Sequence, residues 1–266
     1  MKIFKSKHKL QKEILNNSNI SFVPTMGGLH QGHISLVKKS INLRGKTLVS
    51  IFVNPLQFNK KNDYNTYPRN LAKDLKILKK LKTDYIYLPN KRDLFNFKTK
   101  NKIYIDNFAK KLCGRFRKGH FKGVVNVVNR FIEIIQPKNI FFGLKDFQQF
   151  YLVKKHIIKN NILTNIIACK TIRNKNGLAY STRNNNLNPN QLIIASNVYK
   201  YLVKIKRKHK FNIKRIKKDL ITLGVTKIDY VEFYNLNKLK KDLKKNNFLR
   251  IFVAYYLGKV RLIDNI

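Results

Sequence analysis

Two histidines bracket a glycine in the segment Pro24-Thr25-Met26-Gly27-Gly28-Leu29-His30-Gln31-Gly32-His33. An apolar run, Ile20 to Val23, leads into it, and a helical period follows from about His33 to Asn42. Glycines let a backbone approach phosphates, and a helix start offers N–H donors and a positive dipole. The spacing is neither a Walker loop nor a dinucleotide fingerprint. Imidazoles at this point can donate to phosphate oxygens as charge builds in a phosphoryl or nucleotidyl transfer. Histidines three apart can also share a metal, but no cluster of further ligands lies close by in the sequence.

Other polar residues fall where strands end. Gln57, in Phe52-Val53-Asn54-Pro55-Leu56-Gln57-Phe58, follows an apolar run from Thr47 to Val53 and offers an amide donor and acceptor. Read alone, a Gln after a strand is more often a surface residue. Lys145, Asp146 and Gln149 lie in Phe142-Gly143-Leu144-Lys145-Asp146-Phe147-Gln148-Gln149, again between a strand and a helix. Lys145 is a point charge suited to phosphates, and Asp146 can be a helix cap. Arg115-Phe116-Arg117-Lys118-Gly119-His120-Phe121 mixes basic and aromatic residues, a pattern that nucleic-acid contacts share. No Cys–His or Ser–His–Asp pattern marks an enzyme nucleophile.

The elements that must position these residues alternate. Strands are expected over Ile20–Val23, Thr47–Val53, Asp84–Leu88, Asn139–Phe142 and Ile166–Ile172, with helices over Pro68–Lys82, Gly123–Gln136 and Asp146–Asn160 between them. That order predicts an α/β fold, a Rossmann-like parallel sheet with helices on both faces. After Ile172 the pattern changes to helices Pro189–Lys206 and Phe211–Leu223, then strands Tyr230–Tyr234, Leu249–Leu257 and Val260–Ile263. A smaller α+β domain with an antiparallel sheet is expected there, giving domains 1–172 and 173–266.

The chain has 266 residues, 57 Lys+Arg against 13 Asp+Glu, and a net charge of +44. Charged residues total 26%, an ordinary share, so acids are scarce and charge has not been added. Two readings stay open: a surface for polyanions, or a drift towards Lys, Asn and Ile, whose codons are rich in A and T. Two cysteines, Cys113 and Cys169, make no disulfide scaffold and fit a reducing compartment. No apolar run is long enough to span a membrane.

The 24–33 segment resembles the nucleotide loop of the pantothenate synthetases, ligases of pantoate and β-alanine. A weaker form, His-x-Gly-His, is shared with a wider nucleotidyltransferase group that includes class I aminoacyl-tRNA synthetases. The remaining motifs follow in the family's order: Asn54 to Phe58, Tyr67-Pro68-Arg69 with Asp74, Arg117 to Val124, Gly143 to Gln149, Tyr180 to Asn184, and Arg261 to Asn265. The resemblance covers essentially the whole chain. Lys118 stands where the family has Pro, and Tyr180 and Thr182 where it has Leu and Ser.

The resemblance implies ATP as a substrate, with Mg²⁺. ATP would be bound by Met26, Gly27, Gly28, Leu29, His30, Gln31, Gly32 and His33, then by Gly143, Leu144, Lys145 and Asp146, and by Ile172, Tyr180, Ser181, Thr182 and Arg183. It implies Gln57 and Gln149 for pantoate, Gln57 also for β-alanine, and Arg117 near the phosphates. His33, His30 and Lys145 would carry the catalysis, His33 as acid or donor, and Asp74 is a candidate magnesium contact. The smaller domain would close over the site. A homodimer in the cytoplasm is expected, with nucleic-acid binding non-specific if it occurs. The rival is an RNA-binding adenylating protein such as a reduced aminoacyl-tRNA synthetase, yet nothing after Gly177 resembles an RNA-binding module. Retention of both histidines, both glutamines, Lys145 and Arg183 argues against a degenerate enzyme.

Overall fold

The computed structural model describes residues 1–15, 19–59, 61–208, 211–244 and 246–266. They form two compact units, Met1–Lys170 and Thr171–Ile266. The first begins β1 (Lys2–Phe4), α1 (Lys7–Ile14), β2 (Ile20–Thr25), α2 (Gln31–Ile41) and β3 (Lys46–Ile51). Next come α3 (Lys61–Asn65), α4 (Leu71–Lys80), β4 (Tyr85–Tyr87), α5 (Lys91–Phe95), α6 (Cys113–Phe116) and α7 (His120–Ile135). It ends with β5 (Asn139–Gly143), α8 (Phe147–Lys159) and β6 (Asn165–Cys169).

The sheet runs β1-β4-β3-β2-β5-β6, and each pairing is parallel. Phe22 and Val23 of β2 and Leu48 and Val49 of β3 are all fully buried. Such continuous apolar runs suit strands covered on both faces. The fold class is the one expected. The chain winds from β2 through β3 to β4 on one side, and β5 and β6 lie on the other. The carboxyl ends of β2 and β5 therefore mark the switch point, where open α/β sheets place their ligands.

The short β1 at the sheet edge escapes sequence reading, because three residues carry no usable period. The expected start of α4 at Pro68 moves to Leu71. Asn70 decides it: its side chain accepts from the Lys73 amide at 3.0 Å, which caps the helix there. Helix α7 is buried along most of its length, with Lys122, Asn126, Arg130 and Glu133 on its one less buried stripe, and Gln136 ends it in the left-handed region just before Pro137.

A buried histidine ties α7 and α8 together. His156 of α8 is 0% exposed. Its Nδ1 accepts from the Tyr104 amide and from Asn160, and its Nε2 lies 3.0 Å from Asn129 Oδ1 of α7. The Tyr104 bond makes Nδ1 the acceptor, so Nε2 carries the proton to Asn129. Burial pushes this imidazole down to about 4, the nearby Glu133 opposing it in part.

The second unit holds α9 (Pro189–Lys206), α10 (Ile213–Thr222), β7 (Lys227–Asn235), β8 (Lys240–Lys241), β9 (Leu249–Leu257) and β10 (Val260–Asn265). Its sheet runs β10-β9-β7-β8 and is antiparallel. Val231, Phe233, Ile251 and Val253 pack with Val198 and Leu202 of α9 and Ile216 and Leu220 of α10. Helix α9 opens with a capping box, Asn188 and Gln191, followed by Pro189 in the first turn.

Most of the scarce carboxylates hold a definite group. Asp84 takes the Thr47 amide, Glu133 takes the amides of Lys100 and Asn101, and Asp93 accepts from the Tyr87 hydroxyl. Asp264 is forked by Arg173 at 2.6 and 2.8 Å, and Asp229 meets Arg261 at 2.7 Å. A net charge of +44 must then repel itself over the surface. Raising monovalent salt from about 0.01 to 0.15 M shortens the screening length from about 30 to 8 Å. The thermal midpoint should rise across that range. A flat or falling midpoint would remove net charge from the account of stability.

Candidate active site

The 26–30 loop is tied down from within. The Thr25 hydroxyl donates to the Ser50 carbonyl at 2.7 Å and accepts from the Gly27 amide at 3.2 Å. Gly27 and Gly28 have φ of 81° and 61°, the region glycine tolerates without strain. His30 is the N-cap of α2, and its Nδ1 accepts from the Gly32 amide at 3.1 Å. His33 Nδ1 faces the His30 amide at 3.4 Å, which closes a capping box built from two imidazoles.

That box fixes the tautomers. Each Nδ1 accepts from a backbone N–H, so a neutral ring carries its proton on Nε2. Burial, with Lys145 nearby, lowers His30 to about 4. Burial, then His30, then Lys145, lowers His33 to about 3. Both rings are neutral Nε2–H donors near pH 7, with centroids 4.1 Å apart.

Lys145 comes from the turn after β5, the strand beside β2. It is half-buried, and its ammonium lies 3.9 Å from Asp146, a loose pair. Gly143 and Leu144 precede it in the same turn. Asp146 occupies the N-cap position of α8 without a capping bond from its side chain. The switch point thus brings the 26–33 segment and Gly143–Asp146 together, close enough for Lys145 to act on both histidines.

Gln57 sits in a 3-10 turn after β3 and is 8% exposed. Its Nε2 donates to the Met26 sulfur, and its Oε1 accepts from Asn54 Nδ2 at 3.3 Å. Asn54 also caps the turn through the Leu56 amide and donates to the Gly123 carbonyl. Gly123 is required there, because a Cβ would stand 2.3 Å from the Leu56 carbonyl oxygen. Arg117 donates to the Gln57 carbonyl at 3.1 Å, and its other nitrogen lies 3.1 Å from His120 Nε2. His120 Nδ1 donates to the same carbonyl at 2.7 Å. Arg117, expected near phosphates, therefore holds the backbone of the Gln57 turn.

Gln149 lies half-buried in the first turn of α8. Its neighbour Gln148 is an internal brace. It donates to the carbonyls of Phe108 and Lys111, both at 2.7 Å, and accepts from the Cys113 amide. Asn54, His120 and Gln148 were not singled out from sequence. Only Asn54 had a local signal, the Asn-Pro pair that opens a turn.

Asp74, the candidate magnesium contact, has backbone partners in this structure. It is 2% exposed, and its two oxygens accept the Gly28 and Leu29 amides, each at 2.8 Å. No group of three or more His, Cys, Asp or Glu side chains able to hold a metal occurs among the described residues. The residues present do not make a magnesium cage. Mg²⁺ commonly keeps several waters and leans on substrate phosphates, so its use by an enzyme does not require such a cage.

In the second unit, Arg173 and Ala179 form a bridge, and the Tyr180 amide donates to the Ile172 carbonyl. Ser181 caps the turn Thr182–Asn186 by accepting from the Arg183 amide at 3.3 Å. Thr182 is buried, while Tyr180, Ser181 and Arg183 are partly exposed.

The family described as Pantoate-beta-alanine ligase matches the chain over residues 2–266. The chain belongs to the pantoate–β-alanine ligase family. The pantothenate synthetase of Francisella tularensis subsp. novicida is 39% identical, over 98% of this chain and 94% of that protein. A crystal structure of the Francisella tularensis pantoate–β-alanine ligase, complexed with β,γ ATP and β-alanine, is 37% identical with a TM-score of 0.86, covering 100% of this chain and 97% of that one. The pantothenate synthetase of Thermus thermophilus is 28% identical with a TM-score of 0.92, covering 100% and 99%. The chain is thus an enzyme with the pantoate–β-alanine ligase activity of pantothenate biosynthesis. Among the described residues, no helix is long and apolar enough to cross a membrane.

Proposed function

We propose that this ligase works through a pantoyl adenylate. A pantoate carboxylate oxygen attacks the α-phosphorus of ATP, the bond to the β-phosphate oxygen breaks, and pyrophosphate leaves. The β-alanine amine then attacks the acyl carbon, loses a proton, and displaces AMP to give pantothenate. A free carboxylate is a poor acyl electrophile, and the adenylate supplies the leaving group. The enzyme's task is positioning and charge stabilisation.

The observation that carries this reading is the pair of neutral imidazoles beside Lys145 at the switch point, each with Nδ1 in a cap bond and its ring proton therefore on Nε2. His33 and His30 stabilise charge on the phosphoryl oxygens as hydrogen-bond donors. With His33 held down to about 3, a donated hydrogen bond is favoured over full proton transfer. Lys145 neutralises charge on the leaving pyrophosphate. The ATP reading extends to Met26–Leu29, Gln31, Gly32, Gly143, Leu144 and Asp146, and in the second unit to Ile172, Tyr180, Ser181, Thr182 and Arg183. The Ser181 hydroxyl and Arg183 guanidinium are its polar donors there. Gln57 and Gln149 bind pantoate, and Gln57 also meets β-alanine. A homodimer in the cytoplasm belongs to the same reading, on the strength of the family.

Pyrophosphate–ATP exchange tests the first half-reaction. It should require pantoate and proceed without β-alanine. Exchange that ignores pantoate and follows amino acids instead would sink this reading. Gln57→Ala and Gln149→Ala should raise the pantoate KM with ATP binding nearly intact, each unpaired hydrogen bond being worth about 1–3 kcal/mol. Equal losses of ATP affinity in both variants would count against the assignment.

A further inference from the structure

The loop that resembles a phosphate cradle has already spent five of its amides. Gly28 and Leu29 donate to Asp74, Gly27 to Thr25, Gly32 to His30 Nδ1, and His30 faces His33 Nδ1. A glycine loop leading into a helix ordinarily turns such groups towards an external anion. Here the anion is the protein's own carboxylate, brought in by the first turn of α4 from 46 residues away.

We propose that Asp74 is a positioning residue, the resident anion of the nucleotide loop. It fixes the backbone from which His30 and His33 project, and the triphosphate is held by side-chain donors, the two Nε2–H groups and Lys145, in place of the amides of Gly28 and Leu29. This rests on the ligase reading given above.

The geometry supports it at three points. Both Asp74 oxygens are used, each at 2.8 Å, in charge-assisted bonds of the strong kind. Asp74 is 2% exposed, which suits a brace and not a metal ligand facing substrate. Gly27 packs onto it, since a Cβ there would stand 3.0 Å from Asp74 Oδ2 and 3.1 Å from Ile51. Leu29 adjoins His30, whose extended φ of −133° and ψ of 177° open the capping box. Releasing the Leu29 amide frees the residue next to that box.

Asp74→Asn keeps the shape and one acceptor, but loses the charge and one of the two bonds. It should lower kcat by roughly 10–100-fold, the loss of hydrogen bonding to a charged group. The ATP KM should stay within a few-fold, and the Mg²⁺ concentration for half-maximal rate should not move. Hydrogen–deuterium exchange of segment 26–30 in the full chain should be slow in the wild type and faster in the variant. A several-fold rise in the Mg²⁺ requirement, with excess Mg²⁺ restoring the rate, would overturn the proposal in favour of a metal contact. An unchanged kcat would overturn it as well. If Asp74→Asn does not fold, the wild-type amides decide alone: protection at 28 and 29 supports the brace, and free exchange refutes it. A wild-type chain without pantoate-dependent exchange fails the ligase reading instead, and the amide result still tests the brace.

Discussion

Replacing His33 by alanine should lower kcat by roughly 10²–10³-fold, as loss of a donor that acts in the transition state does. The ATP KM should change little, because the interaction strengthens only as charge builds on the phosphoryl oxygens. His33 has two tasks, and alanine removes both: Nδ1 faces the His30 amide at 3.4 Å, while Nε2 carries the proton. Two further variants separate them. His33→Asn keeps an acceptor near the Nδ1 position and loses the donor. His33→Gln places an amide N–H near the Nε2 position and loses the cap. The Gln variant should retain more kcat than the Asn variant. The reverse order, or near-normal kcat in the alanine variant, would assign His33 to the helix cap and remove it from the chemistry.

The second large effect is loss of stability in mild acid. His30, His33 and His156 are held at about 4, 3 and 4, each first by burial. The unfolded chain protonates its histidines near the ordinary 6.5, so it takes up protons that the folded chain refuses. Their full contribution is present above pH 6.5 and is lost as pH falls from there towards 4. For His156 alone, which is 0% exposed, the loss is about 3 kcal/mol, a large part of the roughly 5–15 kcal/mol of a typical domain. Thermal midpoints measured from pH 7.5 to 4.5 should therefore fall well before ordinary carboxylates titrate. His156→Gln should start lower at pH 7.5 and fall less steeply. A midpoint that holds level down to pH 4.5 would contradict the burial of these rings.

What was legible in the sequence was local. The buried strands Ile20–Thr25 and Lys46–Ile51 and the capped helix Pro189–Lys206 announce themselves through apolar runs and Asn-Pro signals. The histidine spacing also pointed to the loop end of a strand. The braces were not legible, because each joins distant segments. Asp74 reaches Gly28 across 46 residues, Arg117 reaches the Gln57 carbonyl across 60, and Gln148 reaches Phe108 across 40. Periodicity cannot report such pairs. Nor could it show that the loop amides face inward, since a glycine run looks alike whether its donors meet a nucleotide or a neighbouring carboxylate.

The engaged carboxylates set a limit on how this chain can change. An exposed lysine can be exchanged at little cost, since a surface pair is worth about 0–1 kcal/mol. Removing Asp229, with 3% of its side chain exposed against Arg261, or Asp74, beneath two amides, takes away a buried charged partner and costs far more. The protein is therefore permissive in one direction only. Its basic surface can be rewritten, even back to neutrality, whereas its acid content already stands near a floor imposed by the fold.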